Sequence, residues 1–158
     1  MKVTSGYSGA QIALHWLVAA GVLFNYIVSS GMGRALHQRL EGAEVTVPIA
    51  GLHVWVGVAV LVLAALRIAL RLVRGGPAAE PGALGKAAAA AHGVLYLLRL
   101  AVPVSGAVAW FGGVEDAGDP HELMVNLLIL LAGAHALAAL FHHYVMKDGV
   151  LKRMLRPA

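Results

Sequence analysis

The sequence predicts an all-α integral membrane protein, a bundle of four transmembrane helices with both termini cytoplasmic. Three observations carry this expectation. Four apolar segments each reach the ~20 residues that a helix needs to cross a hydrocarbon layer about 30 Å thick. Charged residues make up 13% of a chain that is 59% hydrophobic, whereas roughly a quarter of a soluble domain is charged. Lysine and arginine also gather at one end of the four segments, as they do on the cytoplasmic side of a membrane.

A mean hydropathy of +0.77 excludes a soluble globule and a disordered chain. It also argues against a nucleic-acid partner, although the net charge is +4 and the pI about 9.8. No cysteine is present. Disulfides, iron–sulfur clusters, thiolate zinc sites and covalently attached haem are thereby excluded, because each needs sulfur. A length of 158 residues suits one domain spanning 1–158.

Taken in order, the first span covers about 10–31 and holds no formal charge. Ser8 and Gln11 predict a capping box at its start, with each side chain covering a free backbone donor. Its length, with His15 and Asn25 inside it and three spans behind it, separates it from a secretory signal. The second span covers about 45–72, its apolar run ending near Leu66, and Gly75-Gly76-Pro77 breaks it. Pro81-Gly82 keeps the next connection irregular, and the third span follows over about 87–113, interrupted by Arg99. Pro103 is expected to kink that helix. Asp119, Pro120 and Glu122 mark the start of the fourth span, about 121–146. The longest connection, Met32 to Glu44, has 13 residues, so no folded element is expected outside the membrane.

One end of the bundle carries Lys2, Arg67, Arg71, Arg74, Lys86, Lys147, Lys152, Arg153 and Arg156, with Glu80 and Asp148. The other carries Arg34 and Arg39 against Glu41, Glu44, Glu115, Asp116, Asp119 and Glu122, a net charge of −4. The first end is read as cytoplasmic.

Ionisable residues inside a span are costly and usually have a partner. His121 and His135 are 14 residues apart on the fourth helix. That is about 40° short of four full turns, so both project from nearly one face, about 21 Å apart along the axis. His53 enters the second span at the outer level, where it can face His121, and His15 lies at a depth that suits His135. Two histidine pairs from three helices make two axial ligand sets, stacked across the membrane. Haem fits such pairs better than zinc or copper. A porphyrin already supplies four nitrogens, and no cysteine, methionine or carboxylate is placed to complete a tetrahedral site. Gly51, Gly57, Ala59, Gly93 and Gly133 admit either a flat macrocycle or a close neighbouring helix.

Gln11-Ile12-Ala13-Leu14-His15-Trp16, Leu52-His53 followed by Arg67 and Arg71, His92 to Leu98, and His135 to Gly149 together resemble the prokaryotic cytochrome b561 family. Within the last stretch, His142-His143-Tyr144 and Lys147-Asp148-Gly149 are the most specific residues. The resemblance covers nearly the whole chain. It implies a multi-pass dihaem b-type cytochrome of the bacterial inner membrane, with His53 and His121 on the external haem iron and His15 and His135 on the internal one. Some members oxidise superoxide and pass the electron to ubiquinone. The acidic connection between the third and fourth spans, about ten residues here, departs from the family pattern.

His92 lies at a similar depth to His15 and competes with it; the resemblance favours His15. Arg67, 14 residues after His53, and Arg99 are candidates for haem propionates, since a guanidinium matches a carboxylate fork. Arg71 reads as an interfacial anchor. His142, two turns beyond His135, is placed to meet a quinone carbonyl, while His143 and Tyr144 read as interfacial and His37 as solvated. Trp16, Trp55 and Trp110 fit an aromatic belt, with Trp55 nearest the outer site. The expected function is electron transfer between a periplasmic donor or acceptor and the quinone pool. Superoxide oxidation is a second reading, and a histidine-relay proton or ion transporter without haem is a third.

Overall fold

In a computed structural model, which describes residues 3–78 and 81–158, the chain is helical along most of its length. Lys2 and Glu80, both counted in the charge asymmetry, lie outside the described residues. Among the described residues five α-helices follow in order: α1 (Gly9–Ile27), α2 (Met32–Leu40), α3 (Ala50–Arg74), α4 (Gly82–Gly112) and α5 (Gly118–Phe141). Among the described residues four stretches are long and apolar enough to cross a membrane: Gly9–Ile27, Ala50–Arg74, Gly82–Gly112 and Glu115–Met146.

The helix ends follow local chemistry. Ser8 caps α1 through the capping box, with Gln11 N–H donating to Ser8 Oγ at 3.4 Å and Ser8 N–H donating to Gln11 Oε1 at 2.9 Å. The Gln11 amide also donates to the Gly75 carbonyl at 3.0 Å, tying the start of α1 to the turn after α3. Gly75 ends α3 with φ +77°, a left-handed value that favours glycine. α4 runs continuously through Pro103 and starts at Gly82, earlier than its apolar pattern suggests. Past α5 the chain widens into a π-type turn, His142–Met146, and Lys147 adopts φ +55°.

Two boundaries move inward, because α1 stops at Ile27 and α3 begins at Ala50 rather than near Val45. The expectation that nothing folds outside the membrane is overturned by α2. Gly31, with φ +81°, turns the chain so that Met32–Leu40 closes a short helix whose Ala35 and Leu36 are buried while Arg34, His37 and Arg39 face out. The connection between α4 and α5 is also shorter than expected, five residues from Gly113 to Ala117 with one 3₁₀ turn.

α1 packs along α3, α3 along α4 and α4 along α5. Between α1 and α3, Val18, Val60 and Ala64 form one apolar cluster, and Gly21 lets the helices approach so closely that a Cβ there would fall 2.6 Å from Val60. Leu95 and Leu98 of α4 pack on Leu128 of α5 in a second cluster. Packing of this kind, through small residues and van der Waals contact, holds helices together where lipid removes the hydrophobic drive.

Candidate functional site

At the end of the bundle that carries α2, the end its charge pattern predicts to be the outer one, α3 presents His53 and α5 presents His121, close enough to interact electrostatically. His121 Nδ1 lies 2.9 Å from the Val102 carbonyl and 3.2 Å from Ser105 Oγ. A carbonyl only accepts, so Nδ1 carries the proton and the Nε2 lone pair remains free to bind a metal. The ring rests on Gly106, where a Cβ would lie 2.9 Å from Cε1 and 3.1 Å from Nδ1. Asn25 of α1 donates its amide to the His53 carbonyl at 3.0 Å, and the enclosed His53 Nδ1 has no hydrogen-bond partner among the described residues. Trp55 is 65% exposed and meets the Phe111 ring at a tilt, with centroids 6.3 Å apart, outside this arrangement.

At the other level His15 of α1, His92 of α4 and His135 of α5 form an electrostatically connected group with Arg67 and Arg99. His92 meets the His135 ring edge-on, with centroids 5.1 Å apart and planes at 75°. Both imidazoles border a cavity of about 210 Å³ between α4 and α5, walled by Ala88, Ala91, Leu95, Leu131, Ala134 and Ala138. His15 Nδ1 is enclosed without a hydrogen-bond partner among the described residues. The sequence-predicted four therefore separate into an outer pair and an inner group, and His92 joins the inner group.

The arginines converge beside that inner group. Arg99 lies 4.5 Å over the Tyr96 ring and donates Nε–H to the Leu95 carbonyl at 3.0 Å. Arg67 lies 5.7 Å over the same ring, and its enclosed Nη1 has no hydrogen-bond partner among the described residues. No carboxylate among the described residues lies within ion-pair distance of Arg67, Arg71 or Arg99. Arg71, expected to be an interfacial anchor, instead folds back over Tyr7 at 5.5 Å.

Beyond α5, His142 Nδ1 pairs with Asp148 at 2.5 Å, and the other Asp148 oxygen accepts the Val150 N–H at 3.0 Å. These bonds hold the Asp148 carboxyl below the usual carboxylate range. His143 contacts Tyr144. On the outer face His37 is not simply solvated, because it bridges Glu115 at 3.0 Å and Glu41 at 3.4 Å. The two carboxylates raise its pKa above 6.5.

Sequence reasoning did not single out Gly106, Ser105 or Tyr96. Gly106 could have been found from its place one turn beyond Pro103 on the helix that must face His121. Ser105 and Tyr96 are ordinary residues in any apolar helix and carry no signal of their own.

The prokaryotic cytochrome b561 family matches residues 6–157 of the chain. Cytochrome b562 of Cereibacter sphaeroides is 48% identical over 157 residues, covering 99% of each chain. The probable superoxide oxidase CybB of Yersinia pestis is 32% identical, over 94% of this chain and 95% of its own. Cytochrome b561 homolog 1 of Escherichia coli K12 is 30% identical, over 94% and 96%. No solved structure matches. With four spans, histidines grouped between them and a match from end to end, the chain belongs to the prokaryotic cytochrome b561 family of membrane-embedded haem electron carriers.

Proposed function

We propose that this protein is a dihaem b-type cytochrome of the bacterial inner membrane, moving electrons between the periplasmic side and the quinone pool. The observation that carries the reading is the grouping of imidazoles at two levels, His53 with His121 and His15 with His135. His121 is oriented by Val102 and Ser105 so that Nε2 is left for iron. Gly51, Gly93 and Gly133 sit beside His53, His92 and His135 in sequence, and a Cβ at any of them would meet no atom within 4 Å. They are therefore not seats for a neighbouring helix in this bundle, and the space beside them is open to a flat macrocycle or to lipid. His15, His92 and His135 would all be within reach of an inner haem; the family resemblance favours His15 with His135, while His92 meets the His135 ring edge-on.

Haem b would supply one-electron chemistry; the chain supplies the axial imidazoles, the apolar surroundings and the charges that set its potential. Arg67 and Arg99 would meet propionates, satisfying guanidinium groups that have no carboxylate partner among the described residues. His142, with Nδ1–H donated to Asp148, keeps the Nε2 lone pair available to accept from a ubiquinol hydroxyl. The superoxide reading draws support from the Yersinia pestis relative and is opposed by the acidic outer connections.

The test is a visible spectrum with haem quantification, followed by His53→Ala, His121→Ala, His15→Ala and His135→Ala. The outer pair should lose one redox component and the inner pair the other. Removal of the inner component by His92→Ala but not His15→Ala would reassign that ligand. A colourless purified protein would leave the transporter reading standing.

A further inference from the structure

We propose that Arg71 and Arg67 form an oxyanion-binding site, closed by Tyr7, Gln11 and the Gly75-Gly76 turn. Its ligand is an oxyanion at the membrane boundary: the carboxylate of a haem propionate or the phosphodiester of an anionic lipid headgroup. The propionate source rests on the dihaem reading above, whereas the lipid source does not.

An interfacial anchor points its charge outward into water and needs no seat. Arg71 has one. Its guanidinium lies over the Tyr7 ring and against the backbone of Gly76. A Cβ on Gly76 would fall 1.2 Å from Arg71 Nη1 and 2.5 Å from Cζ, so no other residue leaves room for this pose. The turn itself is fastened from two directions. Thr4 N–H donates to the Gly76 carbonyl at 3.1 Å, and the Gln11 amide donates to the Gly75 carbonyl at 3.0 Å. Gln11 is only 6% exposed although polar. Three separate parts of the chain thus converge on one guanidinium.

What that guanidinium should bind follows from its unmet hydrogen-bonding capacity. Arg71 Nη1 and Arg67 Nη1 are both enclosed, and neither has a hydrogen-bond partner among the described residues. The two arginines stand one helical turn apart on α3 and, together with Tyr7, Gln11 and Tyr96, line a pocket of about 10 Å³, room for a single oxyanion oxygen rather than a whole headgroup. Two like charges held side by side, each half-buried with one Nη1 enclosed, are unfavourable until an anion joins them. Planar guanidinium forks select carboxylate and phosphate oxygens, which can accept two N–H bonds at once. Basic pockets between helices near the membrane surface take lipid phosphates by the same chemistry.

The experiment compares the purified holoprotein with Arg71→Gln, Gly76→Ala and, as control, Arg74→Gln, whose side chain is exposed at the end of α3. Haem per chain, the potential of each haem component and the anionic lipid retained after detergent washing are measured together. Gly76→Ala keeps every charge but evicts the guanidinium, so it should behave like Arg71→Gln while Arg74→Gln matches the parent. A downward shift of one haem potential with haem content preserved identifies the propionate. Unchanged potentials with roughly tenfold less retained phosphatidylglycerol, as loss of a charge-assisted fork would give, identify the lipid phosphate. If Arg71→Gln fails to fold, Arg71→Lys keeps the charge without the fork and should show the same losses. Parental values in both readouts for both variants overturn the proposal, as does an effect of Arg71→Gln that Gly76→Ala does not reproduce. If the protein binds no haem at all, the dihaem reading falls, and lipid retention alone decides this one.

Discussion

Replacing Gly106 with alanine tests whether the outer site depends on where α4 lets the His121 ring rest. The added Cβ would stand 2.9 Å from His121 Cε1 and 3.1 Å from Nδ1, inside the 3.4–4 Å of ordinary contact. The ring must therefore retreat by about half an ångström, which stretches its 2.9 Å bond to the Val102 carbonyl toward the limit of a useful hydrogen bond. Overpacking of this kind costs about 1–3 kcal/mol. Loss of the partner that orients a ligating histidine lowers metal affinity by about 10–100-fold, an effect of similar size. On the dihaem reading proposed above, the expected result is a variant whose outer haem is depleted or shifted in potential while the inner component is unchanged. Haem per chain and a redox titration read both. Gly112→Ala is the control, because a Cβ there meets only Val108 and Val114, at 3.9 and 4.0 Å. Gly106→Ala binding two haems with parental potentials would refute the idea that Gly106 seats the His121 ring.

The outer helix should be pH-sensitive. His37 bridges Glu41 and Glu115 with a pKa above 6.5, so that contact is at full strength below pH 6.5 and fades as pH rises through the higher folded value. Amide exchange in α2, corrected for its intrinsic pH dependence, should accelerate across that window in the parent and not in His37→Gln; identical profiles would refute the latch. On the dihaem reading, superoxide should reduce bound haem well below the diffusion limit, and faster as salt rises, because the connections at the α2 end carry a net charge of −4 and Arg39 is engaged with Trp110. Rapid reduction that is strongest at low salt would refute this.

Most of the fold was legible because a bilayer demands long apolar helices and the chain supplies four of them. The capping box at Ser8 and Gln11 and the glycine break at Gly75 were equally local, set by residues within one turn of each other. α2 was hidden by its composition. Met32, Ala35, Leu36 and Leu40 have helical spacing, but Arg34, His37, Gln38 and Arg39 between them look like a solvated loop. Its stability is tertiary: Leu36 lies beside Gly118 and Leu40 beside Gly113, and Arg39 both sits over the Trp110 ring and donates to its carbonyl. None of those contacts leaves a trace in the nine residues themselves.

The site divides along the same line. Periodicity placed His121 and His135 on one face, and depth matched His53 and His15 to them, because rise and turn per residue are fixed in a helix. Rotation about each helix axis is not fixed in that way, and it decides which neighbours a side chain meets. His92 could be put at the right depth from sequence, but only packing of α4 on α5 shows that it touches His135 edge-on. Arg71 had the same spacing as any cytoplasmic anchor, and what turns it inward is a glycine five residues later that vacates the volume of one Cβ. A missing side chain is invisible to hydropathy and charge pattern alike. In this bundle it decides the position of Arg71 at one end and of the His121 ring, over Gly106, at the other.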